Sequence, residues 1–557
     1  MHVLRRLASF LLFAAIAAPG AHAADPSATY APQPVYCADG SGKLCAVVPS
    51  FIGPDPLLTH SVGYSGLSND VTSAANDVQT PFDNMSWQMF VALNWQATQP
   101  SGADPKAGLS GAGATVWQTW SRPEDVFGGP TGSCPNPNNL PRFNLIAKSD
   151  GQSRDEEFLQ ATGQPLIDVN GNWTLFERRL NGVEKSYILS NGLDSLAGQK
   201  IFASSGKTVD FPAGDMSKTN GQVGAIEIKA AWRIVSDAEH ANYFSQRGLL
   251  DIEGAYVSDG EPLCQEVTLG LVGLHLIQNN GTLGNLFPQF IWASFEHQSN
   301  SPLGQNACDA TNPDNCYKTI QNNACPAASD DDGTYSYHNA ACDAAGTNVP
   351  PALKDKQTAY VWQRSVPYAG DYTTTGTGGA LCGTQVARCW QVYQLTQQLN
   401  ADWQAQLKAI GSVFANYYLI GTNWGGNVEP DGTEFVNGSV PTFMGNSVLE
   451  TYIQTDPNVG DCVNCHKGAT LAYTQAGPDP KKPTTYSADF SFLLGLATRT
   501  CTDVDAGPIW NNEAAQTTCP SVCDGVELDW NGQWTTTVPG TMSVCGCCLA
   551  TEGAAKE

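Results

Sequence analysis

Eighteen cysteines in 557 residues constrain this chain more than any other feature of it. Disulfides persist in oxidising compartments, and each one holds two Cα atoms within about 7 Å. The cysteines fall into local groups: Cys37 with Cys45; Cys308, Cys316, Cys325 and Cys342; Cys382 with Cys389; and Cys501, Cys519, Cys523, Cys545, Cys547 and Cys548. Such spacing predicts local loop staples whose connectivity stays open. Cys134 and Cys264 lack near neighbours and are expected to bridge distant segments. The start of the chain agrees with export. Arg5 and Arg6 precede a short apolar run at 7–18, Pro19-Gly20 break it, and Ala21-His22-Ala23 reads as a cleavage site. The expected compartment is the periplasm, or the extracellular medium. No later apolar run reaches the ~18 residues of a membrane span.

Charged residues are only 15% of the chain, while Gly (55) and Pro (34) are abundant, which favours turns and short strands over long helices. A formal net charge of −25 argues against nucleic-acid partners and anionic membrane surfaces. Periodicity divides the chain further. A helix is expected from Asn84 through Trp95, and another along Val392, Leu395, Leu399, Trp403, Leu407 and Ile410. Asn170-Gly171-Asn172 reads as a hairpin turn. Residues 224–235 alternate, with Ile226, Ile228 and Ala230 on one side and Glu227, Lys229 and Arg233 on the other. Strands at 268–278 and 289–297 are expected to pair antiparallel. The fold class expected is α+β and β-rich: an antiparallel sheet scaffold, a few helices and a mostly helical segment at 436–500. The organisation is a signal peptide (1–23), an irregular extension (24–80), a scaffold domain (81–435) with a cysteine-stapled surface loop at 300–350, the 436–500 segment, and a cysteine-rich tail (501–557).

Cys462-Val463-Asn464-Cys465-His466 carries the chemistry. Two cysteines three apart, followed by histidine, is the attachment pattern of a c-type haem. The thiols add to the porphyrin vinyl groups, and the histidine supplies an axial nitrogen. On this reading Cys462 and Cys465 hold one covalent haem c, and His466 is the proximal iron ligand. Assigning two cysteines so leaves 16, an even number. The competing readings are a disulfide, a thioredoxin-like pair, or half of a zinc site, which would need a second ligand pair.

Several phrases together resemble a family of exported bacterial mono-haem "cytochrome c family" proteins. They are Gly224-Ala225-Ile226-Glu227-Ile228-Lys229-Ala230-Ala231-Trp232, Val272-Gly273-Leu274-His275, Ile291-Trp292-Ala293-Ser294-Phe295-Glu296-His297, Asn446-Ser447-Val448-Leu449-Glu450-Thr451-Tyr452, and Asp489-Phe490-Ser491-Phe492-Leu493. The resemblance covers about residues 80 to 500. It implies haem attachment and export but no substrate; the 300–350 loop and the tail depart from it.

The distal iron position separates a carrier from an enzyme. Met444, Met542, His275 and His297 are the distal candidates, each with a bland alternative as a core or strand residue. Met85 and Met89 read as core. Glu227 and Lys229, with His275 and His297, are the weak catalytic candidates: a cavity with acid and base groups beside haem would suit peroxidase-like or oxygenase-like chemistry. A solvent-facing sheet surface explains the same polar stripe. The expected function is therefore periplasmic redox work with one haem, with a redox partner protein or a small-molecule substrate. A simple electron carrier on a binding scaffold is one alternative. A secreted, disulfide-rich binding protein without haem is the other.

Overall fold

The computed structural model describes residues 34–38, 42–50 and 79–550, apart from 101, 130–131, 148–152, 155–156, 216–220, 281–289, 309–324, 326–333, 354–356, 358, 429–434, 438–443, 457–460, 478 and 480. The expected signal peptide lies outside these residues, as does most of the 24–80 extension. The fold is α+β and β-rich. The elements that position the site are the helices α1 (Gln79–Leu93), α2 (Gly182–Ser190), α3 (Leu196–Ser204), α4 (Gln394–Ala409), α5 (Cys462–His466) and α6 (Asn512–Asp524). The strands are β1 (Arg142–Ala147), β2 (Leu175–Leu180), β3 (Ile226–Ile234), β4 (Ser245–Ile252), β5 (Leu263–Asn279), β6 (Phe290–His297) and β7 (Tyr417–Val428), then β8 (Cys501–Gly507), β9 (Asp529–Val538) and β10 (Met542–Cys548) in the tail.

A nine-stranded sheet organises residues 142–437. Its spine is β5, long enough to pair β4 along its first half and β3 along its second, both antiparallel. The other edge of β5 pairs antiparallel with β6, as expected, and β6 with β7. Side chains alternate across such a sheet, so each strand contributes one set to each face. Ile226, Ile228, Ala230, Leu274, Leu276, Ile291, Ala293 and Phe295 share one face and pack beneath α1 and α4. Aromatic side chains fill that layer: Trp87 stacks on Trp403 with ring centroids 5.6 Å apart, Phe90 on Phe295 at 4.3 Å, and Phe82 on Trp424 at 4.3 Å. Burying each such ring contributes roughly 1.5–3 kcal/mol. Met85 and Met89 lie in this core, as read from the sequence.

Three local expectations change. The first helix begins at Gln79, five residues before Asn84. Its Asn84 side chain is instead bonded to the backbone of Val35 on both sides of the amide. The Asn170-Gly171 turn closes only the single bridge Ile167–Trp173, because Asp168 Oδ1 accepts the N–H groups of Asn170 and Asn172, and β2 pairs with β3 instead. The 436–500 segment is not mostly helical: α5 and a 3-10 turn at Phe492–Leu496 are its helices among the described residues. Asn446 Oδ1 accepts the N–H groups of Val448 and Leu449 as a helix cap would, yet 447–455 run as successive turns.

Seven disulfides join described cysteines other than Cys462 and Cys465. Cys37–Cys45 is the expected local staple, and Cys134–Cys264 the expected long bridge. Cys382 and Cys389 do not pair with each other: they bond Cys342 and Cys325, tying the 300–350 segment to the body. That segment is more than surface loop, since Tyr337 is fully buried with its hydroxyl against Thr174. In the tail, Cys519 and Cys523 stand one helical turn apart on α6 and meet Cys545 and Cys547, two apart on β10. Both spacings place the pair on one face, so helix and strand lock in register. Cys548 points the other way and bonds Cys501 on β8. The tail sheet, in the order β8-β10-β9, encloses a small core whose neighbours include Ala197 of α3.

The Cys134–Cys264 bridge closes a sequence separation of 130 residues. Loop entropy predicts a loss of about 4–5 kcal/mol when both cysteines become alanine. Urea unfolding should register it; an unchanged midpoint would show that the bridge does not constrain the unfolded chain.

Candidate functional site

The second face of the sheet carries polar residues, and cross-strand register brings them together. Lys229 lies opposite His275, and His275 opposite Ser294; Glu227 lies opposite Ile277, Ile277 opposite Trp292, and Trp292 opposite Asn423. This face is not open to solvent. The described residues of 444–497 cover it, and between cover and sheet lies a cavity of about 320 Å³. Glu227, Lys229, His275 and Trp292 line it from the sheet; Met444, Glu450, Cys462, Cys465, His466 and Phe492 line it from the cover.

The cover is pinned by polar contacts. Asn446 Nδ2 donates to Ser294 Oγ (3.1 Å) and to the Phe295 carbonyl (3.0 Å), while the Ser447 N–H donates to Glu296. Asn423 Oδ1 accepts the Val463 N–H at 3.0 Å. Asp461 caps α5 through the Asn464 N–H. His466 Nδ1 is bonded to the Phe490 carbonyl at 2.7 Å, which leaves Nε2 as the lone-pair nitrogen. Burial depresses its pKa to about 4, so the ring is neutral at pH 7.

Cys462 and Cys465 are free thiols in a chain whose other described cysteines are disulfide-bonded. Burial first, and then the negative charge of Glu450, pushes both thiols up. They are protonated and weakly nucleophilic at neutral pH. Across the cavity, His275 Nε2 lies 3.3 Å from Glu450 Oε2, an ion-pair distance outside hydrogen-bond geometry. Burial alone would raise the Glu450 carboxyl, but His275 and Lys229 hold it below the usual range. At the far end the buried Glu184 of α2 meets Glu227. Burial, and then the neighbouring Glu227, raises Glu184 well above the carboxylate range, so Glu184 stays protonated beside Glu227. Asp489 joins this acidic group, raised to about 7 by burial against the pull of the Phe211 N–H.

The structure therefore brings Cys462, Cys465, His466, His275, Glu227, Lys229 and Met444 to one cavity. His297 and Met542 stay apart. His297 sits at an odd position of β6 with Phe295, on the other face, and both ring nitrogens are bonded, to Ser299 Oγ and to the Asn242 carbonyl. Met542 pairs with Val538 in the tail. Arg233 shares the polar face but is tied to Asp168 at 2.6 Å and Glu239 at 2.8 Å. Glu184 and Glu450 were not singled out in the sequence. Glu184 reads there as the third residue after the cap Asn181, an ordinary helix start, and only the packing of α2 on the sheet buries it.

Two measurements check this geometry. Asp489 keeps its proton in the folded state up to about 7, against 3.8 unfolded. Its stabilisation is thus complete below the unfolded value and lost as pH rises through the folded one. Asp489→Asn should gain stability relative to the parent as pH rises from about 4 to about 8; a pH-independent difference in urea midpoint would refute the assignment. Alkylation without reductant should label Cys462 and Cys465 once the chain is unfolded, and about tenfold more slowly when folded. A peptide containing both that stays unlabelled after unfolding would mean that the sulfurs are already covalently occupied, overturning the free-thiol assignment.

Comparison with known proteins places the family relationship elsewhere. The model of the family described as "MVL: Mannan-binding protein" matches residues 512–547, which are α6, β9 and most of β10. Lectin MVL of Microcystis viridis is 46% identical over 43 residues, 8% of this chain and 38% of that lectin. The lectin match spans less than half of the lectin's length, and the family-model match lies wholly in the tail. These findings correct the resemblance to mono-haem cytochrome c proteins: the family that matches is a lectin family, not a cytochrome one. Among the described residues, moreover, no group of three or more His, Cys, Asp or Glu side chains is placed to hold a metal ion. Covalent haem c, an iron centre and electron transfer have no support in these comparisons and are set aside, with His466 as iron ligand and Met444, Met542, His275 and His297 as distal ligands. A five-residue pattern tests only local spacing, and two thiols lining a cavity satisfy it. The relationship found is that of a disulfide-rich tail similar to a mannan-binding lectin.

Proposed function

We propose that this protein is an exported, disulfide-rich carbohydrate-binding protein whose tail, residues 501–548, binds mannose-rich glycans. The observation that carries this reading is the coincidence of the lectin match with one stapled unit: residues 512–547 fall within α6, β9 and β10. Three disulfides give that unit a rigid frame that its small core would not supply alone. Its surface suits neutral sugars. β9 is largely exposed and carries Asn531, Gln533 and three threonines among partly exposed indoles. Trp530 Nε1 donates to the Gln533 carbonyl and Trp534 Nε1 to Asn512 Oδ1, both at 2.9 Å, so the rings are held in place. Trp510 beside this unit is 72% exposed, an amphipathic side chain of the kind that marks binding surfaces. The disulfides suit the periplasm or the extracellular medium, and no helix among the described residues is long and apolar enough to cross a membrane.

A second reading concerns the cavity, whose Gln160 Oε1 and Glu227 Oε1 are buried without partners. Orphaned acceptors in a mostly apolar pocket suit a small molecule with donor groups. Protection of Cys462 and Cys465 from alkylation by such a molecule would be its signature.

The full-length protein should bind immobilised mannan and be displaced by mannose oligosaccharides but not by a galactose polymer. Replacing Cys519 and Cys545 by serine removes a staple worth about 3 kcal/mol and should weaken mannan binding at least about tenfold while the 79–497 body keeps its near-ultraviolet dichroism. Equal binding to galactan, or full binding by the double variant, would reject the proposal.

A further inference from the structure

The tail is not an independent appendage: it is seated on α3. Ala197 and Ile201 pack against its core, the Leu196 N–H donates to the Arg499 carbonyl at 2.7 Å, and Lys200 Nζ lies 3.3 Å from Glu527 Oε2. Between the two bodies runs a groove of about 650 Å³, within the ~300–1,000 Å³ of ligand sites. One wall is the α2–α3 connection with Ser190, Asn191 and the Arg499–Asp194 ion pair; the other is β8 with Asp503 and Asp505. We infer that this groove is the extended subsite for a neutral oligosaccharide, so that a residue of the main body selects among the glycans that the tail binds. The inference rests on the carbohydrate reading of the tail.

The chemistry of the walls selects the ligand. Asp503 and Asp505 alternate along β8, so both side chains leave the strand on one side. Both are exposed, and neither carboxylate has a hydrogen bond or an ion pair among the described residues. A carboxylate accepts two parallel hydrogen bonds, which matches adjacent hydroxyls of a sugar ring. On the opposite wall the Ser190 hydroxyl and one Asn191 amide N–H already donate to the Tyr187 carbonyl, so the second Asn191 N–H and the remaining N–H groups of the Arg499 guanidinium are the donors that ring and glycosidic oxygens meet. The acidic wall and the net charge of −25 disfavour anionic glycans. Glycine stands at both walls: Gly192 turns with φ +65°, and Gly546 leaves room for the Asn531 carboxamide, which a Cβ there would overlap.

The test compares ligand lengths on the full-length protein. Calorimetry with mannose, a mannotriose and a larger mannose oligosaccharide should show affinity rising with length. Asp505→Ala, and Ser190→Tyr to obstruct the groove from the main body, should each lower affinity for the larger oligosaccharide about tenfold and leave that for mannose unchanged. Near-ultraviolet dichroism confirms that both variants stay folded. Parent-like binding of the larger oligosaccharide by both variants would overturn the groove while leaving the tail's lectin function standing. No binding of any mannose ligand by the parent protein would overturn both.

Discussion

The site depends on one buried carboxylate. Glu296 is fully buried at the end of β6, on the polar face of the sheet. It forms an ion pair with Arg388, accepts the Ser447 N–H and receives the Tyr418 hydroxyl at 3.2 Å. Removing one partner of such a buried pair typically costs ~3–5 kcal/mol, because the other charge is left unpaired. Glu296 therefore fixes where the covering segment starts. Asn446 then spans Ser294 and Phe295, and Gly273 lets Val448 approach the strand where a Cβ would meet it at 2.7 Å. The cavity lies between the sheet and this cover, which is anchored to the sheet at Ser447 and again at Val463.

Two sites of different character result. The cavity lies between sheet and cover and carries protonated thiols together with the raised carboxyl of Glu227. The groove is open and polar, and lies where two separately stapled bodies meet. The tail's own core is small, so disulfides and its seat on α3 hold its strands in place. That seat is also what creates a second wall beside the strand β8. Assembly thus gives the lectin-like unit a surface that its matched segment does not contain.

Much of the scaffold was legible. β3 was readable from period two, β5 and β6 as the strands expected at 268–278 and 289–297, and α4 from the spacing of Leu399, Trp403 and Leu407. The phrases that resembled a haem family, among them His275, Glu296, Asn446 and Glu450, are the residues that build and pin the cavity. The haem read from Cys462–His466 and from these phrases is what the lectin match corrects. Parity was the missing piece for His297: two positions on one strand can look equivalent, yet an odd and an even residue face opposite layers. Glu184 was illegible for another reason, since a capped helix start looks the same buried or exposed. The disulfides of Cys325, Cys342, Cys382 and Cys389 escaped because proximity in sequence says nothing about which loops the sheet brings side by side.

By itself the sequence determined the class of the fold, a disulfide-rich character consistent with an oxidising compartment, and several of the local elements, since these follow from composition, periodicity and spacing over a few residues. The tail's stapled character was readable in the same way, from six cysteines within about fifty residues. Only tertiary structure decided that Glu227, Lys229, His275, Cys462, Cys465 and His466 share one cavity, and that the tail rests on α3 with a polar groove beside it. Those facts depend on strand register and on the docking of segments hundreds of residues apart, where small differences in packing energy, rather than any local pattern, choose the neighbours.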